Sequence, residues 1–506
     1  MSTPAHSPDT VAPSNQLSPP EADESTVSGI TAPATRDGQP AGGLFAALSL
    51  VALIAVLAIG LLKFTAPLPL MMIVGFCVAS IIAAIKGVPY TRAEQYAFDS
   101  IRQGLQPVLI FVAVGALIAA WILSGTVPTM IYLGLQLINP SYFLPTAIVL
   151  CAITSFINGT NFGTVATVGL ALMGVAAVLH IPLGIAAGAV LSGAIFGDKM
   201  SPVSDTTVMA AGLSGVRLGT HIRHMMWTTV PAIIVTLITF TVIGRGYTGD
   251  ATADASIQRT LAGIDANFNV GWVPLIPPVI VLGLLITRRE AFPSLAVGVG
   301  AGALVAIFYQ NQAPTTVLTA LWAGYVPPKS LGDIATIIGG GETGGALKLL
   351  GLAAILIFAL ATVGALTAAG VLQAMLRAMD SRLTSPRRLV PATLVITAIL
   401  NAVGGAVNFA VAMAATTLRP LYEKQGVDRK NLSRAVEDAG NTTGPLIPWN
   451  ATAVFSAGAL GVATTTYLPW AVFCYLTPII SMIYAILGFT ITRGPGAPSQ
   501  NTAAIR

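Results

Sequence analysis

Between about Leu44 and Ile491 the chain is a succession of apolar runs separated by short polar breaks, and roughly 20 apolar residues are what a helix needs to cross a bilayer. Continuous runs at 44–63, 68–86, 107–126, 225–244, 271–287, 291–310, 347–376 and 470–491 predict single spans. Two more, 183–214 and 435–462, are interrupted by Gly, Pro and polar residues, and each predicts one discontinuous helix. The stretches 142–172 and 389–418 are apolar but short. Two crossings need about 40 residues, so each predicts a hairpin that enters and leaves on one side. The tips read NGTNFGT (Asn158 to Thr164) and NAVGGAVN (Asn401 to Asn408). Irregular backbone at that depth survives only against protein or a watery cavity.

The pattern occurs twice. Residues 107–231 return at 349–478, with Gly197, Pro202, Gly212, Gly215 and Pro231 matched by Gly440, Pro445, Gly458, Gly461 and Pro478. GDKMSPVSDTT (Gly197 to Thr207) is answered by GNTTGPLIPWNAT (Gly440 to Thr452), so the acids Asp198 and Asp205 stand opposite the amides Asn441 and Asn450. Duplicated halves with broken polar segments at matching places mark a transporter whose site lies at the repeat interface.

Composition agrees. Hydrophobic residues make up 54% of the 506 and charged residues 9%, against about 25% charged in soluble domains. The expected class is an all-α polytopic membrane protein. Charge placement orients it. With the N-terminus inside, nineteen of the 25 Lys/Arg fall on the inner side, as the positive-inside rule requires. Lys63, Arg245, Arg259, Lys329 and Lys348 fall outside, and Lys199 falls within the membrane. The basic Arg377–Arg388 linker has an uncharged counterpart at Val127–Ser141, and the basic Arg217–Arg223 loop has a bare one at Ala463–Pro469. Five spans per half is an odd number. Charge and parity both predict an inverted repeat of two 5-span halves, each with a re-entrant hairpin and a discontinuous helix.

The expected organisation is a disordered cytoplasmic tail (1–42), a first repeat (43–246), an extracytoplasmic linker (247–270), a second repeat (271–492) and a cytoplasmic tail (493–506). The N-terminal segment is rich in Ser, Thr and Pro without apolar periodicity, which is the composition of disorder. Cys77, Cys151 and Cys474 lie far apart in apolar runs and read as small apolar fillers.

An ionisable side chain in hydrocarbon costs at least ~2.5 kcal/mol. Within the predicted spans such residues are Asp198, Lys199, Asp205, Glu437 and Asp438, all in or beside the discontinuous helices. A hard cation prefers oxygen ligands. Asn158, Thr160, Asp198, Ser201, Asp205, Thr206 and Thr207 supply them in the first half; Asn401, Asn408, Asp438, Asn441, Thr442, Thr443 and Asn450 do so in the second. Burial favours the protonated form of a carboxylate and a nearby cation the ionised form. An Asp can therefore hold either in turn, whereas an Asn coordinates without titrating. Proton coupling is expected in the first half, centred on Asp205 and Asp198, with scaffolding or polar coordination in the second.

Blander readings compete. Asp198 and Lys199 could be a structural ion pair, Asp205 a helix N-cap, Glu437 and Asp438 a solvated helix end after Arg434, and His221 with His224 an interfacial loop pair. No buried Arg is expected within the spans, which favours an inorganic ion over an organic anion. No HExxH, GxSxG or GxxxxGK pattern occurs, so no enzyme is expected.

The block GAIFGDKMSPVSDTTVMAAGLSGVRLGTHIRHMMWTTVP (Gly193 to Pro231) resembles the signature of the NhaC family of Na⁺/H⁺ antiporters, and EDAGNTTGPLIPWNATAVFSAGALGV (Glu437 to Val462) resembles its C-terminal signature. The resemblance implies Na⁺ (or Li⁺) exchange for H⁺ across the plasma membrane. It implies no cofactor beyond the transported ions, with an inorganic cation and the lipid bilayer as partners. It implies no nucleic acid and leaves a homodimer open. Matching residues place Asp198, Ser201, Asp205, Thr206 and Thr207 in the first polar signature and Asp438, Asn441 and Asn450 in the second. Val208 stands where the family commonly has Asn after SDTT, and Asn161 and Phe162 replace the Ser and Trp of a GTSWGT-like tip. Some relatives exchange organic acids or amino acids with Na⁺ or H⁺, which makes coupled transport of such a solute the alternative.

Overall fold

The structure, a computed structural model, describes residues 42–493 except 104, 138, 248–250, 288, 329–330, 332–333, 339–343 and 375–384. The tails and most of the basic Arg377–Arg388 linker lie outside the described residues. Apart from isolated bridge residues (Val427 with Arg493, and Tyr325), regular structure among the described residues is helical. Lipid offers no partner for a free backbone group, and a helix satisfies each one within its own segment. Among the described residues, eight helices are long and apolar enough to cross a membrane, or ten if each of two bent pairs counts as one span.

The first half runs α1 (Gly43–Leu62), α2 (Leu68–Ile85), α3 (Tyr90–Gln103), α4 (Leu105–Leu123), α5 (Thr126–Leu137) and α6 (Phe143–Asn158). It continues with α7 (Asn161–Thr164), which passes through a π-helical turn into α8 (Leu170–Val178), then α9 (Leu183–Met200), α10 (Asp205–Ser214) and α11 (Leu218–Gly244). After α12 (Ala251–Asn267) come α13 (Ile276–Ile286), α14 (Ala291–Phe308), α15 (Pro314–Ala323), the short α16 (Ile334–Ile337) and α17 (Ala346–Ala368). The chain ends with α18 (Pro386–Gly404), α19 (Val407–Lys424), α20 (Arg429–Thr443), α21 (Ala451–Leu460), α22 (Thr464–Tyr467) and α23 (Val472–Leu487).

The sequence repeat reappears as a repeated order of elements. In each half a hairpin precedes a broken helix, and a helix with an internal proline follows (Pro231 in α11, Pro478 in α23). The hairpins turn where glycine adopts the left-handed region that side chains disfavour: Gly159 (φ 69°) ends α6 and Gly405 (φ 61°) ends α18. Both breaks fall at the predicted tips, and both predicted discontinuous helices are interrupted, at Ser201–Ser204 and at Gly444–Asn450.

Three features differ from the hydropathy reading. The hairpin arms are longer than the apolar stretches suggest: Pro140–Asn158 and Asn161–Val178 are each long enough by length and composition to cross. The polar signals flanking each stretch belong to the helices themselves. The amphipathic α3 is missed by an apolar-run search because its polar face is half its surface; it packs against α17, where a Cβ on Gly364 would strike the Tyr96 carbonyl. Helices α5, α12 and α15 likewise fill segments read as connections.

Packing brings the two breaks together. Helix α9 lies on α6 so closely that a Cβ on Gly197 would collide with the Ala152 carbonyl oxygen, and one on Gly193 with that of Ile148. Helix α20 packs between α18 and α19, where a Cβ on Gly440 would meet the Val411 side chain, and both α9 and α10 touch α20. Residues next to one break therefore face residues next to the other.

Candidate ion-binding site

Helix α9 stops because Ser201 turns extended (φ −76°, ψ 130°) ahead of Pro202, which has no N–H to continue the ladder. The loose ends are tied locally. Ser201 Oγ donates to the Phe156 carbonyl at 2.8 Å, and Thr207 Oγ1 donates to that of Lys199 at 3.1 Å. Helix α10 restarts with Ser204 as its N-cap residue and Asp205 in its first turn.

The centre of the site is Asp198, in the last turn of α9 and 2% exposed. Its Oδ2 accepts from Asn161 Nδ2 at the first hairpin tip (2.7 Å) and from Asn441 Nδ2 of α20 (3.4 Å). The same Asn441 amide donates to Glu437 Oε1 (3.1 Å) and to Thr206 Oγ1 (3.3 Å), and Thr206 Oγ1 donates to Glu437 Oε1 at 3.1 Å. Glu437 is fully buried. Three oxygens of this net, Asp198 Oδ1, Asn161 Oδ1 and Glu437 Oε2, are buried without any hydrogen-bond partner. Stranding a buried polar atom costs about 1–3 kcal/mol, more if charged. Three bare acceptors on side chains of one hydrogen-bonded net suit a hard cation, which takes oxygen ligands.

A second charged group lies alongside. Lys199 Nζ meets Asp438 Oδ1 at 2.8 Å with both side chains fully buried. Thr228 of α11 donates to the same oxygen at 3.1 Å, and Lys199 also contacts Met225 Sδ at 3.5 Å. Arg434, one turn before Asp438, is fully buried, with Nε 3.9 Å from Asp438 Oδ2 and Nη1 donating to Thr490 Oγ1 at 2.7 Å.

In the second half the amides bind one another. Asn450 is the N-cap of α21, accepting from Thr452 N at 3.0 Å, and its Nδ2 donates to Asn401 Oδ1 at 2.8 Å. Asn401 Nδ2 in turn donates to the Gly440 carbonyl (2.7 Å) and to Thr443 Oγ1 (2.9 Å). Trp449 Nε1 donates to the Ala402 carbonyl at 2.6 Å, holding the hairpin tip against the break.

The candidates therefore divide. Asp198, Thr206 and Asn441 come together in one net, and Ser201 and Thr207 cap the broken helix beside it. Asn158 and Thr160 close their own turn, with Asn158 Oδ1 accepting from Thr160 N at 3.0 Å. Asn401 and Asn450 form a separate polar lock, and Asp438 belongs to the lysine pair. Asp205 and Asn408 are exposed, outside these nets. Lys199 pairs with Asp438 rather than Asp198. Glu437 and Asp438 are buried, not a solvated helix end, because α20 runs between α18, α19 and α23. His221 and His224 are buried in α11, His221 Nδ1 lying 2.9 Å from Ser433 Oγ. Arg434 is the buried arginine that the sequence reading excluded. Among the described residues no group of three or more His, Cys, Asp or Glu could hold a metal ion; amides and hydroxyls dominate the net.

Sequence reasoning missed Asn161, Glu437 and Thr228 as participants. The one available signal was the clustering of intramembrane polar residues, which names Glu437 without revealing which way it points. A cavity of about 560 Å³ between α8, α17 and α21 is lined by Leu170, Met173, Leu349, Ala457 and Leu460, and by none of the net's residues.

Comparison with known proteins gives a consistent picture. Residues 193–489 match the Na⁺/H⁺ antiporter family. The chain is 36% identical over 421 residues to the Na⁺/H⁺ antiporter NhaC of Alkalihalophilus pseudofirmus, covering 82% of this chain and 90% of that protein. It is 37% identical over 398 residues to the NhaC of Bacillus subtilis, covering 78% and 87%. It is also 33% identical over 422 residues to a malate-2H⁺/Na⁺-lactate antiporter of Bacillus subtilis, covering 83% and 90%.

Proposed function

The chain belongs to the Na⁺/H⁺ antiporter family and is a membrane transporter, not an enzyme; on that premise we propose that it exchanges Na⁺ or Li⁺ for H⁺ across the plasma membrane by alternating access. One observation carries the reading: Asp198 sits buried at the break of α9 with Oδ1 unpartnered, held from the hairpin tip by Asn161 and from the other broken helix by Asn441. A carboxylate so placed holds a cation or a proton in turn. Asp205, exposed at the first residue of α10 just past the break, serves as the charged entrance to that site. Ser201, Thr206 and Thr207 shape the break, and Asn158 and Thr160 shape the tip. Asn401, Asn408, Asp438 and Asn450 act as the polar frame of the second half.

We further propose that repeats 43–246 and 271–492 are inverted, with both termini cytoplasmic, as the basic residues and the odd number of spans per half suggest. Counting the hairpin arms as crossings would add two per half and leave the parity unchanged.

Purified protein in proteoliposomes with an internal pH dye tests the exchange. Na⁺ or Li⁺ should evoke proton movement in the wild type, and Asp198→Asn or Asp205→Asn should abolish it while the protein stays folded. Full exchange by either variant removes that residue from the mechanism.

A second reading has an observation of its own. Arg434 is buried with Nε and Nη2 lacking hydrogen-bond partners, and a guanidinium is the natural partner of a carboxylate. If malate or lactate evokes the signal and inorganic cations alone do not, the coupled organic-acid reading replaces the first.

A further inference from the structure

We propose that Glu437 is the second anionic ligand of the transported cation, so that the ion is held between the two halves of the molecule rather than by the first half alone. The inference rests on the cation reading above and adds a residue that neither the repeat pattern nor the Asp-to-Asn differences singled out.

Three independent observations converge on Glu437. It is fully buried on α20, yet its Oε2 has no hydrogen-bond partner. Its other oxygen is clamped by Asn441 Nδ2 and Thr206 Oγ1 at 3.1 Å each, which leaves the carboxylate with one oxygen anchored and one free. Asp198 is arranged the same way, with Oδ2 anchored by Asn161 and Asn441 and Oδ1 free. The shared donor is Asn441, whose single NH₂ group reaches both carboxylates. Two carboxylates from opposite halves are thus tied to one amide with their free oxygens unassigned.

Charge balance points the same way. Among the described residues no Lys, Arg or His forms an ion pair with Asp198 or Glu437. The buried ammonium nearby, Lys199, is engaged by Asp438 at 2.8 Å, and Thr228 completes that pair. Lys199 acts on Glu437 through space without contacting it, and a buried carboxylate without a contacting counter-charge remains costly. A cation seated between Asp198 Oδ1, Glu437 Oε2 and Asn161 Oδ1 would satisfy all three stranded oxygens at once. The amide ligand comes from the hairpin tip, one anion from α9 and the other from α20. Binding would pull the halves together, and release would free them to move apart, which is what alternating access around a fixed site requires.

The test is Na⁺ binding to detergent-purified protein, read by Na⁺-dependent thermal stabilisation and by ²²Na⁺ equilibrium binding, in wild type, Glu437→Gln, Glu437→Asp and Asp198→Asn. Glu437→Gln should weaken Na⁺ binding by about tenfold or more and abolish Na⁺ stabilisation. It should also raise the melting temperature without Na⁺, because an uncompensated charge has been removed. A residue with only a structural role would lower that temperature instead. Glu437→Asp should keep the charge and recover part of the binding. Wild-type Na⁺ affinity in Glu437→Gln overturns the proposal, and does so without touching the cation reading if Asp198→Asn has lost binding. A wild type that binds neither Na⁺ nor Li⁺ overturns both.

Discussion

Lys199 of α9 and Asp438 of α20 form an ion pair of 2.8 Å in which neither side chain has any solvent exposure. The pair joins the two discontinuous helices directly beside the Asp198–Asn441–Glu437 net. It also explains why, among the described residues, that net has no positive partner in contact, since Lys199 is already engaged.

Removing Asp438 leaves Lys199 buried and alone, and removing Lys199 leaves Asp438 with Arg434 at 3.9 Å as its remaining counter-charge; losing one partner of a buried pair costs about 3–5 kcal/mol. Lys199→Met and Asp438→Leu should each lower stability by that order, measured by unfolding in mixed micelles. The double variant should recover part of the loss, because removing both charges together removes their desolvation penalty while the buried Arg434 still loses Asp438. Independent, additive losses would mean that the two residues do not depend on each other.

Asn441 Nδ2 lies within hydrogen-bond reach of Asp198, Glu437 and Thr206 (3.4, 3.1 and 3.3 Å), its two hydrogens shared among the three acceptors. Hydrogen bonds to charged groups contribute about 1.5–3 kcal/mol each, so Asn441→Ala should raise the Na⁺ concentration for half-maximal exchange by at least about tenfold. Steady-state transport at varied Na⁺ reads this directly, and an unchanged half-saturation would show that the amide does not orient the carboxylates.

The contact between α6 and α9 depends on Gly197, where a side chain would run into the Ala152 carbonyl and approach Phe156 N within 2.7 Å. Gly197→Val should cost about 1–3 kcal/mol or more through overpacking, and it should displace the adjacent Asp198. The expected result is a lower melting temperature together with weakened Na⁺ stabilisation. Loss of stability with intact Na⁺ binding would separate the packing from the site.

Asn450 caps α21 and donates to Asn401. Replacing a side-chain cap by Ala costs about 0.5–2 kcal/mol, so Asn450→Ala should reduce stability while the Na⁺ dependence of exchange stays close to wild type. Asn450→Asp should retain the cap, since the carboxylate still accepts from Thr452 N. A large change in Na⁺ dependence in Asn450→Ala would bring the second-half lock into the ion site itself.

Much of the architecture was legible in the linear order of residues because a bilayer leaves few choices. Apolar length predicted α1, α2, α4 and α14 within a few residues, and the 183–214 run covers α9 and α10 together. The interruptions at Ser201–Ser204 and Gly444–Asn450 were readable because Pro, Gly and short polar side chains cannot continue an apolar helix. Gly159 and Gly405 end the hairpin helices within the predicted tips, since each must take a positive φ. The amphipathic α3 was not legible in this way, because its apolar face is covered by α17 and not by lipid.

Chemistry was less legible than architecture. Sequence alone determined that the ionisable residues of the spans gather at the two breaks, and that Asp198 and Asp205 align with amides in the second copy of the repeat. It could not determine which charges neutralise one another. Pairing depends on distances of a few ångströms across contacts between residues more than 200 positions apart, and hydropathy carries no record of them. Only the packing of α9 and α10 on α20 decided that Lys199 pairs with Asp438, that Glu437 turns inward to join Asp198, and that Asp205 stays at the exposed rim. The same residue types in the same order would have allowed Asp198 to pair with Lys199; the close approach of the two broken helices is what left it free.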